Sequence, residues 1–267
     1  MKSRIFSAIF LAPIFLVTVF YGKPLFEFLV CIIVLLMAKE WRQICNLNKF
    51  DFIGYVIAGI VFMAVLNATF LNIYFAILIL ILGLVLLPII EIFRNRISKN
   101  EVFWGLLGII SIGSSGISLV WLRQITQSGF EIVILFVIAI WLTDIFAFFV
   151  GRAFRGPKLV PMISPNKTWA GLLGGIFASA IWASTWSYVT DIGTIDSLFI
   201  VGIGIGLLGQ LGDLSVSVMK RKFFVKDTGK LIPGHGGALD RVDSFIGSAP
   251  IFALSVAISK GDFSIWP

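Results

Sequence analysis

Long apolar runs, following one another with little between them, constrain this chain more than any other feature. Stretches of roughly 17–25 mainly apolar residues are the length a helix needs to cross a bilayer core. About nine occur, near 5–21, 24–38, 52–70, 72–93, 102–122, 130–150, 169–190, 197–218 and 243–259. With 58% of its 267 residues hydrophobic and 13% charged, the chain holds more apolar surface than a fold in water could bury. The predicted fold class is all-α, a polytopic integral membrane protein of about nine transmembrane helices. The second run is short, and the polar "KEWRQICNLNK" after it reads as lying at the membrane interface. The opening "MKSRIFSAIFLAPIFLVTVFYGK" has the basic start of a signal peptide, but no small-residue cleavage site follows, so it reads as a first, retained helix. Cys31 in an apolar run and Cys45 in a polar linker suggest neither a disulfide nor a metal site.

The formal net charge is +7, which in a membrane protein points to loops held on the inner side and facing anionic headgroups rather than to nucleic acid. Nine spans with the N-terminus inside leave only Lys23, Arg123 and Lys260 outside, so eighteen of the 21 Lys and Arg fall on the cytoplasmic side. Adding or dropping one span scrambles that asymmetry. The expected organisation is an N-terminal set of helices over 1–128 as scaffold, a dimer-forming or lipid-facing part, and a catalytic region over 129–267. Loops 151–168 and 219–242 then face the cytoplasm.

Carboxylates inside apolar runs cost about 2.5–3.5 kcal/mol each near a helix centre on the insertion scale, so each needs a reason. Asp144 stands in "WLTDIFAFFVGR" and Asp213 in "GLLGQLGDLSVSVMKR". Asp144 lies seven residues before Gly151 and Asp213 seven before Lys220, a rise of roughly 10 Å, so both are expected at one depth below the cytoplasmic face. The bland alternative is satisfaction by helix packing or by a lysine. Glu27 and Glu91 lie nearer span ends and read as interfacial. Asp213, Ser217 and Lys220 share a helical face at i, i+4 and i+7. Beyond them comes "KRKFFVKDTGKLIPGHGGALDRVDS", a basic, glycine-rich loop ending in Asp240 and Asp243, which share a face if a helix begins there. Aspartates are hard ligands for Mg²⁺, Lys and Arg bind phosphate oxygens, and glycines let backbone N–H groups approach such oxygens. The combination favours phosphate chemistry over a merely solvated loop. His235, the only histidine, is either a phosphate or base contact or a plain loop residue. Ser164, Asn166, Lys167 and Thr168, with Arg152, form a second polar cluster on the same side, and Trp169 beside them suits an interfacial belt. "GIGLLG" at 204–209 matches GxGxxG but follows no strand, and small residues there suit close helix packing instead.

From Ser217 to Asp243 the chain strongly resembles the signature of the phosphatidate cytidylyltransferases (CDP-diacylglycerol synthases). The matching positions are Ser217, Lys220, Arg221, Lys226, Asp227, Pro233, His235, Gly236, Gly237, Asp240, Arg241 and Asp243. Upstream, "TDIFAFFVGR" and "ISPNKTWAG" are similar to the family's other recurrent stretches, so the resemblance covers residues 140 to 250. It implies an all-helical membrane enzyme of the bacterial plasma (inner) membrane, often a homodimer, with its active site facing the cytoplasm. The implied reaction is CTP and phosphatidic acid giving CDP-diacylglycerol and pyrophosphate. Mg²⁺ is the implied cofactor, held by Asp213 and Asp240, with a monovalent cation such as K⁺ as a second ion. The implied catalytic set is Asp213, Asp240, Lys220 and Asp243. Ser217, Arg221, Lys226, Asp227, His235, Gly236, Gly237, Arg241, Asp144 and Lys167 are implied to bind substrate. Family members commonly carry an acid where this chain has Ala170 and Val216. A secondary transporter is the main rival, but matching broken helices in two halves are not evident. A CDP-alcohol phosphotransferase would need a dense Asp-Gly-x-x-Ala-Arg pattern, which is missing.

Overall fold

The computed structural model describes residues 2–46, 49–94, 99–229 and 236–265. Among them are nine α-helices: α1 (Lys2–Tyr21), α2 (Leu25–Cys45), α3 (Phe52–Phe70), α4 (Ile73–Phe93), α5 (Lys99–Gln124), α6 (Gly129–Phe154), α7 (Trp169–Trp186), α8 (Ile195–Lys222) and α9 (Leu239–Ser259). Each falls on one of the apolar runs. Six of them, α3, α4, α5, α6, α8 and α9, are long and apolar enough to cross a membrane.

Local chemistry sets several of the helix starts. Asp51 caps α3 by accepting from Gly54 N–H (3.2 Å), Asn72 caps α4 through Phe75 N–H (3.0 Å), and Thr168 caps α7 through Gly171 N–H (3.1 Å). Each satisfies a donor that a helix's first turn leaves without an intrahelical partner. The polar segment after the second run is mostly helical. It continues α2 to Cys45, and Glu40, Trp41 and Arg42 are buried. Arg42 explains the extension: it donates to both carboxylate oxygens of Asp51 at 2.8 Å and to Glu101 at 2.9 Å.

The chain is also not purely helical. Within the expected loop 151–168, β1 (Lys158–Val160) and β2 (Ser164–Thr168) pair antiparallel, with Lys158 opposite Thr168 and Val160 opposite Ser164. Pro161 sits at the second position of the tight turn closed by Ile163 N–H donating to Val160 O (3.2 Å), where proline's fixed φ fits. Strands of three and five residues leave too little alternation for a sequence pattern to reveal them.

The helices divide into two compact units, Met1–Trp121 with Lys222–Val242, and Leu122–Arg221 with Asp243–Pro267. In the first, α2 packs on α3 and α3 on α4. Trp41 Nε1 donates to Trp104 O (2.8 Å), and Trp104 meets Phe223 edge-on at 5.2 Å. Most of α4 is apolar and exposed, Leu78, Ile81, Leu82 and Val85 among its residues, as a face turned to lipid would be. In the second unit, Phe136 stacks on Phe252 at 4.7 Å and meets Phe245 edge-on at 5.6 Å.

Glycines along α8 let the neighbouring helices of that unit close in. A Cβ at Gly202 would stand 2.6 Å from Ala180 Cα and Ser179 O, one at Gly206 3.0 Å from Ile176 Cα, and one at Gly209 2.6 Å from Ile140 Cδ1. Of the GxGxxG match, Gly206 and Gly209 thus serve helix packing, while Gly204 faces open space.

Candidate functional site

In the second unit, the same close packing assembles a polar chain out of otherwise apolar helices. At Gly212 an added Cβ would lie 2.8 Å from Ser244 O and 2.9 Å from Asp243 O, so α8 and α9 cross there nearly backbone to backbone. That contact brings the following residue, Asp213, towards the start of α9. From β2, Lys167 Nζ reaches Asp213 Oδ2 at 2.8 Å and Gln210 Oε1 at 3.0 Å. Gln210 Nε2 donates to Asp144 Oδ1 (3.2 Å), and Ser244 Oγ donates to Asp144 Oδ2 (3.3 Å). At the other end Ser217 Oγ donates to Asp213 Oδ1 (3.2 Å), as their shared helical face anticipates. Asp144 and Asp213, expected at one depth, are thus joined through a single glutamine and a single lysine.

Asp243 lies within electrostatic reach of Asp213, Lys220 and Asp144. Three carboxyl groups and two ammonium groups thus gather among helices of low polarity, where their interactions are strengthened. The cluster is not sealed: Asp144 is exposed, while the Lys167 and Asp213 side chains are 18% and 25% exposed. Hard carboxylate oxygens are the donor chemistry of a Mg²⁺ site. Among the described residues no group of three or more acidic, histidine or cysteine side chains is placed to hold a metal alone. A Mg²⁺ that keeps waters and takes phosphate oxygens needs only one or two protein carboxylates.

The glycine-rich loop belongs to the first unit, where Asp240 organises it. Asp240 Oδ2 accepts from Thr228 N–H (2.8 Å), Thr228 Oγ1 (3.0 Å) and Gly237 N–H (3.0 Å). Gly236 takes the left-handed φ of +79°, and a side chain there would run into that same carboxylate oxygen. The Gly237 N–H, expected to face phosphate, is turned inward to Asp240. Lys226, Asp227 and Arg241 are exposed around this core. Arg221 Nε donates to Ile163 O (3.0 Å), tying the end of α8 to the hairpin turn. His235 lies outside the described residues. Val216 is buried in the apolar interior.

Four side chains of these networks escaped the sequence reading, among them Thr228, which bonds Asp240 and Glu40. Gln210 and Ser244 join the aspartates, and Glu40 holds the loop from the distant α2: its carboxylate accepts from Ala238 N–H (2.8 Å), Leu239 N–H (2.8 Å) and Thr228 Oγ1 (2.9 Å). Gln210 carried a legible signal, an amide inside an apolar span being nearly as costly as an acid. Glu40 carried none, since its partners lie 188 to 199 residues away.

Comparison with known proteins agrees across the chain. The family model described as the cytidylyltransferase family matches residues 2–259. A phosphatidate cytidylyltransferase of Brucella abortus biovar 1 (strain 9-941) is 33% identical over 264 residues, 97% of this chain and 94% of the relative. Its namesake in Rickettsia felis is 31% identical over 261 residues, 95% and 91% of the two chains. That of Rickettsia bellii is 32% identical over 257 residues, 93% and 87%.

Proposed function

Because the chain belongs to the cytidylyltransferase family, we propose that it is a phosphatidate cytidylyltransferase, a membrane nucleotidyltransferase of phospholipid biosynthesis that shares the activity its relatives are named for. CTP and phosphatidic acid give CDP-diacylglycerol and pyrophosphate. The observation that carries this reading is the pairing of Lys167 from β2 with Asp213 of α8, with Asp144 and Asp243 of the apolar helices beside it.

In the reaction a phosphate oxygen of the lipid attacks the α-phosphorus of CTP. The new P–O bond forms as the bond to the bridging α–β oxygen breaks, and that oxygen's electrons leave with pyrophosphate. A phosphate monoester has its second pKa near about 6, so the nucleophile is already a dianion at neutral pH and needs no general base. The barrier lies in bringing that dianion against a triphosphate, which positioned charge lowers. Lys167 and Lys220 supply positive charge beside the aspartates. Arg221, Lys226 and Arg241 would hold the triphosphate and the departing pyrophosphate. Ser217, Asp227, His235, Gly236 and Gly237 complete the substrate-binding set, and Asp243 stands with the catalytic carboxylates.

Mg²⁺ is the cofactor of this reading, with Asp213 and Asp240 as its proposed ligands and a monovalent cation such as K⁺ as the second ion. Bound there, the metal would neutralise phosphate charge and fix the reacting groups in line. The reading extends to nine spans in a bacterial plasma (inner) membrane, the N-terminus and the active site facing the cytoplasm, and a homodimer. The bias of Lys and Arg towards one side supports the orientation.

The test is a detergent assay of the purified protein with phosphatidic acid, Mg²⁺ and each labelled nucleoside triphosphate in turn. Lipid-soluble label from CTP with matching release of pyrophosphate is expected, abolished by chelator and restored by Mg²⁺. Absence of lipid-soluble label overturns the reading, and activity undiminished by chelator removes the metal from it.

A further inference from the structure

We propose that Glu40 of α2 is a positioning residue for this reaction, holding the nucleotide-binding loop in its working form through its carboxylate. Glu40 is buried, at 5% exposure. Its Oε1 accepts from Ala238 N–H and its Oε2 from Leu239 N–H, both at 2.8 Å, at the point where α9 begins. A negative charge on the first N–H groups of a helix is favoured by both the orphan donors and the helix dipole. The loop is shaped around that carboxylate. A Cβ at Gly229 would stand 2.9 Å from Glu40 Oε1, and one at Gly237 would overlap Glu40 Oε2. Two glycines of the signature stretch therefore make room for a glutamate from the N-terminal half of the chain.

The contact reaches the catalytic aspartate in one step. Thr228 Oγ1 lies 2.9 Å from Glu40 Oε2 and 3.0 Å from Asp240 Oδ2, its one proton placed between two carboxylates, while Thr228 N–H donates to Asp240 (2.8 Å). Lys226 and Asp227 immediately precede Thr228, and Arg241 follows Asp240, so the loop's charged residues hang from this anchor. The anchor also decides how phosphate can be held. Helix N-termini commonly bind phosphate through free N–H groups, but the Ala238 and Leu239 N–H groups are already taken by Glu40, and the Gly237 N–H by Asp240. Nucleotide phosphate then has to be gripped by lysine and arginine side chains, whose placement depends on Glu40.

This inference rests on the proposed activity, and its test separates the two. Glu40→Gln keeps the size but puts an NH₂ group against an N–H donor, whereas Glu40→Asp keeps the charge and shortens the reach. Purified wild type and both variants are compared for kcat, for KM of CTP, for trypsin cleavage after Lys222 and Lys226 relative to Lys158, and for thermal unfolding in detergent.

Glu40→Gln is expected to raise the KM for CTP about tenfold, or about 1.4 kcal/mol, and to speed cleavage in the loop but not at Lys158. Glu40→Asp should recover part of both. A wild-type KM and cleavage rate in Glu40→Gln overturns the proposal, as does a lowered unfolding temperature with neither change. If wild type makes no lipid-soluble product the activity reading fails, and the loop-cleavage comparison still decides whether Glu40 holds the loop. Should Glu40→Gln not insert, Thr228→Val removes the bridging hydroxyl from the other side. It is expected to shift both readouts the same way by a smaller factor, and no shift counts against the anchor.

Discussion

Lys167 and Asp213 sit 2.8 Å apart with the rest of the polar chain strung from them, so each side chain tested there has a distinct consequence. Asp213→Asn removes the charge that pairs with Lys167 and accepts from Ser217. Loss of a preorganised electrostatic group of this kind costs roughly 100-fold or more in turnover, read as lipid-soluble label per minute; a near-normal rate would remove Asp213 from the chemistry. Gln210→Leu acts differently, since it deprives both Lys167 and Asp144 of a partner in an apolar setting. A stability loss of about 1–3 kcal/mol is expected, and an unchanged unfolding temperature in detergent would show that the bridge does not matter. Outside the spans, Asp51 gives a pH signature. The Arg42 guanidinium, donating to both its oxygens, holds the Asp51 carboxyl below its ordinary range against the opposing effect of burial. A depressed folded pKa stabilises fully above the unfolded value of about 3.9 and is lost as pH falls through the folded value. Acidification below about pH 4 should therefore weaken the wild type more than Asp51→Asn, which retains the helix cap but not the titrating charge. Parallel unfolding curves for the two across that range would contradict the assignment.

At the scale of helices, the α8 glycine stripe makes a prediction of opposite signs within one helix. An alanine at Gly202 puts a methyl 2.6 Å from the backbone of Ser179 and Ala180, neither of which can turn aside. Overpacking of this sort costs typically about 1–3 kcal/mol. Gly204 has nothing within 4 Å of its missing Cβ, and replacing a mid-helix glycine by alanine is worth roughly 0.5–1 kcal/mol in the stabilising direction. Gly202→Ala should lower the unfolding temperature in detergent and Gly204→Ala should hold or raise it; equal effects would mean that α7 and α8 do not meet as closely as described. The helices were legible in the sequence because lipid demands long apolar runs, and the rise of a helix already pointed to Asp144 and Asp213 together, which Gln210 and Lys167 link. The end of α2 was not, because Glu40 and Arg42 look like surface charges until their partners, Asp51, Glu101 and the start of α9, are brought to them by the fold. The hairpin at 158–168 was hidden for a different reason: it is held by one proline turn and a few ladder bonds rather than by any apolar periodicity.

For the whole molecule, the decisive quantity is the side of the membrane on which the charge lies. Nucleoside triphosphate is made and kept inside the cell, so the reaction is possible only if the loop carrying Lys226 and Arg241 and the hairpin carrying Lys167 both face inward. In the proposed topology of nine spans with an inner N-terminus, the positive-inside bias keeps both on the inner side, and the segment between α7 and α8 is expected outside. Asp191 in that segment and Lys158 in β1 are both exposed, which makes them suitable reporters. In a background with Cys31 and Cys45 replaced by serine, Asp191→Cys should react with a membrane-impermeant thiol reagent added to intact cells. Lys158→Cys should react only after the membrane is opened. The reverse pattern would invert the protein and strand the residues proposed to bind phosphate away from CTP. Labelling of both from outside would break the odd-span topology, since an even number of crossings would then separate α6 from α8.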